Sequence, residues 1–187
     1  MKKIFLFLTL FSKNVDDSKD PLLVVLLMVK NESTVIEKTL QPFLQAGIES
    51  YLILDTGSTD NTVEITKNLF KKHKIKDGHV VEQPFVDFST SRNYAIKQAE
   101  ILFPQAGFFL MLDAEWYMQN VSNLLEFCKE NINASELGFL VSVHTNYYED
   151  KESNRYYYVT RLFKPHKAFH IIIQRLFPVI RNVINTS

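Results

Sequence analysis

The sequence predicts an α/β domain with a mostly parallel central sheet and helices on both faces. Two observations carry this expectation. Apolar runs of strand length, at Leu22–Val29, Tyr51–Leu54 and Phe108–Leu112, alternate with segments whose apolar residues recur at helical spacing. The first of these runs is also unbroken, the pattern of a strand covered on both sides rather than on one.

In chain order, Leu22–Val29 is the first core strand. Ser33–Gln45 follows as a helix with Val35, Ile36, Thr39, Leu40, Phe43 and Leu44 on one face, with Pro42 expected to kink or shorten its last turn and Gly47 to end it. Tyr51–Leu54 is a second strand, running into Asp55-Thr56-Gly57-Ser58-Thr59-Asp60. Asp60 is placed to cap a helix carrying Val63, Ile65, Leu69 and Phe70, whose basic end is Lys71, Lys72 and Lys74. A third strand is read at His79–Glu82, a helix at Ser89–Leu102 and a fourth strand at Phe108–Leu112, ending on Asp113. Beyond it, Val121–Asn131 reads as a helix. Leu137–Thr145 and Tyr156–Phe163 read as two strands around a polar turn at Glu149–Asn154, a hairpin added to the sheet.

The 187 residues suit one domain, 46% hydrophobic and 22% charged, the composition of an ordinary globular protein. Lys plus Arg (21) equals Asp plus Glu (21), so no bulk field draws the chain to nucleic acid, and an anionic ligand must be held locally. The single Cys128 excludes an internal disulfide and is read as a core thiol, which fits a reducing, cytoplasmic setting. Met1-Lys2-Lys3 and the apolar run Ile4–Phe11 are too short to span a bilayer and lack a cleavage site. They are read as an extra strand or weak anchor rather than a signal peptide. The division expected is residues 1–20 as apolar segment and linker, 21–165 as the domain, and 166–187 as a basic, apolar tail.

Ligands of open parallel sheets sit beyond the carboxyl ends of the strands. Three polar loops are expected there: Lys30-Asn31-Glu32, Asp55–Asp60 and Asp113-Ala114-Glu115. If the backbone stays extended past the strand, Asp113 and Glu115 turn toward one point and offer oxygens to Mg or Mn, which also binds substrate phosphates. The competing reading is a solvated acidic turn. Asp55 is either the first residue of a tight turn, bonding the backbone two residues on, or an acceptor for a nucleobase N–H, with Gly57 allowing close approach. Arg92 begins a helix preceded by Ser89, Thr90 and Ser91, where a guanidinium and free backbone N–H groups suit phosphate oxygens.

These segments together resemble the inverting family 2 glycosyltransferases of GT-A fold, particularly the bacterial lipopolysaccharide-core glucosyltransferase-like branch. The motifs are Met28-Val29-Lys30-Asn31-Glu32, Leu54 to Thr62, Asp87-Phe88-Ser89-Thr90-Ser91-Arg92-Asn93-Tyr94-Ala95, Leu112-Asp113-Ala114-Glu115 and Arg161-Leu162-Phe163. The similarity runs from about Leu22 to Phe163. It implies a Rossmann-like nucleotide-diphospho-sugar transferase fold. It further implies a nucleotide-sugar site of Asn31, Glu32, Asp55 (base), Arg92 (diphosphate) and Asp113 (ribose or metal), with Asp113 and Glu115 holding Mn or Mg. The reaction implied is transfer of a sugar, from a UDP-sugar by the family's habit, to an acceptor hydroxyl with inversion; the acceptor is a glycan, lipid or protein.

The chain departs from that pattern at two places. Glu115 and Trp116 stand where the branch has Asp and then Glu, so one methylene must be absorbed at the metal site. His170 is followed by Ile171 rather than Glu, and Ile171–Ser187 holds no acidic residue. That leaves the catalytic base unassigned, with Glu149 and Asp150 as substitutes. The tail reads either as an amphipathic helix making peripheral membrane or partner contact, or as an early end of the domain. Two other function classes compete: an impaired sugar-nucleotide-binding protein, and a nucleotidyltransferase, which would need a Gly-rich basic loop where Lys30-Asn31-Glu32 stands.

Overall fold

The computed structural model describes residues 20–146, 154–165 and 183–184. The readings of Ile4–Phe11, of Glu149 and Asp150, and of His170 and most of the tail lie outside the described residues. In chain order the elements are β1 (Leu23–Val29), α1 (Ile36–Gln45), β2 (Ser50–Asp55), α2 (Thr62–Lys72), β3 (Asp77–Glu82), α3 (Phe88–Leu102), β4 (Phe108–Asp113), α4 (Val121–Glu130), β5 (Gly138–Asn146), β6 (Asn154–Phe163) and β7 (Val183–Ile184). They form one sheet in the order β3-β2-β1-β4-β6-β5-β7. Strands β1 to β4 pair in parallel, and the expected hairpin β5–β6 joins them antiparallel through β4.

The two-residue period of the strands builds the layers. Leu23, Val25, Leu27 and Val29 of β1 pack, with Tyr51, Ile53, Phe108, Leu110 and Leu112, against Ile36, Leu40 and Phe43 of α1, Leu69 and Phe70 of α2, and Leu124 and Cys128 of α4. Val24 and Leu26, with Leu52, Leu54, Phe109 and Met111, pack against Ala95, Ile96 and Ala99 of α3. Helices therefore cover both faces, which is why β1 is apolar without alternation. Each such side chain stabilises by roughly 1.5–3 kcal/mol when fully buried. Cys128 is the core thiol expected, and burial pushes its pKa up to about 12.

Local chemistry moves several boundaries. Helix α1 begins at Ile36 rather than Ser33, because the Glu32 carbonyl accepts from the N–H groups of Val35 and Ile36 and closes a turn first. Pro42 does not shorten the helix, which runs to Gln45. Gly47, at φ +77°, then ends it, its N–H and that of Ile48 donating to the carbonyls of Leu44 and Phe43. The cap position of α2 is Asn61, one residue later than expected, yet the Asp60 carboxylate still accepts from the Thr62 N–H (3.0 Å) and hydroxyl (2.5 Å). Helix α3 starts one residue early, at Phe88, because the Asp87 carboxylate accepts from the Thr90 N–H at 2.7 Å. The Thr90 amide, then its hydroxyl, holds the Asp87 carboxyl below the usual carboxylate range.

The loops after β1 and β2 are tied side by side. Ser58 Oγ accepts from the Asn31 N–H (2.9 Å), and Asn31 Oδ1 from the Thr59 N–H (2.7 Å). The Thr62 hydroxyl accepts from the Glu32 N–H (2.7 Å), and Asp60 Oδ2 from the Ser33 N–H (3.1 Å). Asn31 sits at φ 57°, a left-handed conformation that Asn tolerates better than most residues.

Two outcomes follow from this packing. A Cβ at Gly107 would lie 2.9 Å from the Leu22 carbonyl oxygen and 2.6 Å from Ile132 Cδ1. Gly107→Ala should therefore lower stability by about 1–3 kcal/mol in urea unfolding, as overpacking of a rigid neighbour does; an unchanged midpoint contradicts the packing. The hydrogen bonds from Thr62, and then from Ser33, hold the Asp60 carboxyl well below its ordinary value. A depressed folded pKa stabilises above the unfolded value of about 3.9, and the effect is lost as pH falls through the folded pKa. Asp60→Asn should thus lower the thermal midpoint at neutral pH by a margin that narrows below about pH 4. A margin constant down to the acid limit would refute this.

Candidate nucleotide-sugar site

Strand parity decides which side chains meet at the carboxyl ends. Leu112 faces α1 and α4, so Asp113, one residue on, faces α3. There Arg92, buried in the second turn of α3, donates from Nη2 to Asp113 Oδ1 at 2.5 Å. Phe163 of β6 also belongs to the α3 face, and Arg161, two residues earlier, donates from Nη2 to Asp113 Oδ2 at 2.8 Å. Each carboxylate oxygen thus carries one arginine. Both guanidinium groups are also stacked, Arg92 over Phe88 at 5.3 Å and Arg161 over Trp116 at 4.8 Å. Trp116, one of the two departures from the resembled motif, therefore positions Arg161.

Past Asp113 the backbone does not stay extended. The Trp116 N–H donates to the Asp113 carbonyl at 3.0 Å, and the Thr39 hydroxyl holds the Ala114 carbonyl, so Asp113–Trp116 closes as a turn. Asp113 and Glu115 nevertheless line one cleft of about 710 Å³, together with Lys30, Glu32, Thr56, Phe85, Phe88 and Arg92. Burial, then the charges of Glu115 and Asp60, raise the Glu32 carboxyl above its ordinary value. The cleft thus combines a cationic floor at Arg92 with an acidic wall at Glu32 and Glu115, which suits an anion and a cation bound together.

Of the residues expected at the site, Glu32, Arg92, Asp113 and Glu115 line this cleft. Asn31 is not among its lining residues, its N–H and Oδ1 being committed to the neighbouring loop. Asp55, in register with Val29, falls on the α1 and α2 side of the sheet. Its carboxylate accepts from the Gly57 N–H (3.2 Å), the Ser58 N–H (3.0 Å) and the Ser58 hydroxyl. This is the turn role weighed for it. Gly57 sits at φ 103°, which an L side chain rarely adopts. Arg161 stands out in sequence only as part of the Arg161-Leu162-Phe163 motif, and no role follows from that. Phe88 stands out only within the Asp87-to-Ala95 motif, and Phe85 carries no sequence signal.

Hard oxygen donors are present for a divalent cation, but no closed cage is. Among the described residues no three His, Cys, Asp or Glu side chains group together to hold a metal. The set fits an ion bound by one or two carboxylates and completed by substrate oxygens, as Mg and Mn sites commonly are. A second cleft, of about 960 Å³, opens at the opposite, amino end of the sheet between Leu22, Ile48, Lys76 and Lys129, away from these groups. Among the described residues no helix is long and apolar enough to cross a membrane.

Comparison with known proteins fits this arrangement. No curated protein matches the chain significantly. Among solved structures it is similar to S. aureus TarS 1-349, at 18% identity and TM-score 0.51, over 71% of this chain and 38% of that one. It is also similar to the mannosyltransferase PcManGT from Pyrobaculum calidifontis, at 20% identity and TM-score 0.53, over 67% and 36%. A 4-diphosphocytidyl-2C-methyl-D-erythritol synthase shares the fold at 13% identity and TM-score 0.55, over 78% and 76%. The chain therefore spans less than two-fifths of the TarS and PcManGT chains, and identities this low show the fold alone: a Rossmann-like GT-A sheet. The family model for glycosyl transferase family 2 matches residues 24–186. The chain belongs to glycosyl transferase family 2.

Proposed function

We propose that this chain binds a nucleoside-diphosphate sugar, a UDP-sugar, in the cleft at the carboxyl ends of β1 and β4, and transfers the sugar to an acceptor hydroxyl with inversion. The observation that carries the reading is the convergence, in one cleft, of Arg92, Asp113, Glu32 and Glu115 from three separate loops and helices of a family 2 domain. Two fold relatives lend support to the ligand class: TarS is solved in complex with UDP, and PcManGT with GDP-Man and Mn2+.

Arg92 lies where a diphosphate would need a cation, and its Nε is buried without a hydrogen-bond partner, so it keeps a donor beyond the one given to Asp113. Glu115, assisted by Asp113, would hold the divalent cation, which supplies positive charge to neutralise the leaving diphosphate. Asp113 also holds Arg92 and Arg161 in place. Asp55, by keeping the Gly57–Ser58 turn, shapes the base end of the site, and Asn31 does so from the adjoining loop.

A second reading, a nucleotide-sugar-binding protein of low turnover, is favoured by one observation. Both oxygens of Asp113 are already occupied by arginines, which weakens it as a metal ligand. Calorimetry with UDP and Mn, run beside a donor-hydrolysis assay, separates the two. UDP binding tightened at least about tenfold by Mn, or about 1.4 kcal/mol, is expected, and Glu115→Gln should remove that enhancement while retaining metal-free binding. Binding without turnover favours the second reading. A preference for nucleoside triphosphates over diphosphates would sink both.

A further inference from the structure

The rings of Phe85 and Phe88 line the cleft and stand outside the hydrophobic core. Phe85 is 41% and Phe88 58% exposed, with Val86 between them 62% exposed, although 36 hydrophobic residues elsewhere among the described residues are buried, seven of them phenylalanines. Scattered apolar residues at a surface need no explanation, but a cluster spanning one short loop and the first residue of the helix after it, beside polar groups, marks a binding surface. The loop begins at the end of β3, where the Gln83 N–H donates to the Asp55 carbonyl at 2.9 Å, and ends at the Asp87 cap of α3. It therefore runs along the cleft from the end of β2 to the helix that carries Arg92.

The two rings are edge to face, 5.2 Å apart at 75°, which braces them against each other. Phe88 also lies 5.3 Å from the Arg92 guanidinium, the cation assigned above to the diphosphate. The ligand that such a pairing fits carries a flat ring a short distance from an anionic group. A nucleotide is built that way, and a base stacks on an aromatic side chain through its π-face whatever its hydrogen-bonding edge. We infer that Phe85 and Phe88 form the stacking wall for the base of the nucleotide donor, Phe88 being the ring in contact and Phe85 its brace. This deepens the proposed function and rests on it.

Binding of UDP and of inorganic pyrophosphate to the full chain, in the wild type and in Phe88→Ala, Phe88→Trp and Phe85→Ala, tests the assignment. The substitutions are at exposed positions, and an unchanged thermal midpoint verifies that each variant folds. Phe88→Ala should weaken UDP by about 5- to 150-fold, the usual span for a lost base stack, and leave pyrophosphate binding unchanged. Phe88→Trp should retain UDP binding, and Phe85→Ala should weaken it less than Phe88→Ala. Wild-type binding of UDP with no loss in Phe88→Ala overturns this inference alone. So does an equal loss for UDP and pyrophosphate, which would mean the ring acts only through Arg92. Failure of the wild type to bind either ligand overturns the proposed function, and the stacking wall falls with it.

Discussion

The Asp113 carboxylate, held between Arg92 and Arg161, is the interaction on which the candidate site depends. It joins α3, the end of β4 and the antiparallel strand β6, elements that are 21 and 48 residues apart from it in sequence. One negative charge between two positive ones leaves a local excess of positive charge, on a chain whose formal net charge is zero. Partly buried charges that lose their partner are costly, because the remaining charge is left without water or counter-charge. The triad therefore fixes where the arginines stand and leaves the floor of the cleft suited to an anion.

The rest of the site is arranged around that fixed point by ordinary backbone chemistry. Parity along β4 sends Asp113 toward α3, and Arg161, at the irregularity of β6 where the register with β5 shifts, meets it there. Turn formation at Asp113–Trp116 keeps Glu115 within the cleft and lays Trp116 under Arg161. On the other side, the tie between the β1 and β2 loops uses Asn31, Ser58, Asp60 and Thr62, so that Glu32 reaches the cleft from a segment hydrogen-bonded at Asn31, Glu32 and Ser33 to the β2 loop. The acidic wall and the cationic floor thus rest on separate supports. A change to one need not unmake the other.

Much of the fold was legible because burial on two faces leaves a strong mark in sequence. Unbroken apolar strands such as Leu22–Val29, alternating with amphipathic helices, leave few other arrangements, and the strand-end loops follow from it. Boundaries were legible to within a few residues, missing where a carboxylate or carbonyl captured the first N–H groups, as Glu32 and Asp87 do. The partners inside the site were less legible. That Asp113 would be shared by two arginines depends on the distance between β6 and α3, which no local pattern encodes. Asp55 and Asn31 looked like ligand groups because of where they lie, while Asp55 bonds its own turn and Asn31 the neighbouring loop, a matter of side-chain direction rather than position. Phe85 carried no periodicity, and Phe88 stood only inside a motif whose chemistry pointed to Arg92.

A crystal structure of the chain with UDP and Mn tests directly whether the carboxyl-end cleft, organised by the Asp113 triad, binds a nucleotide diphosphate. Diphosphate oxygens are expected within hydrogen-bond distance of Arg92, the metal on Glu115 and the base against Phe88. A nucleotide seated instead in the amino-end cleft beside Lys76 and Lys129, with the Asp113 cleft empty, would contradict it.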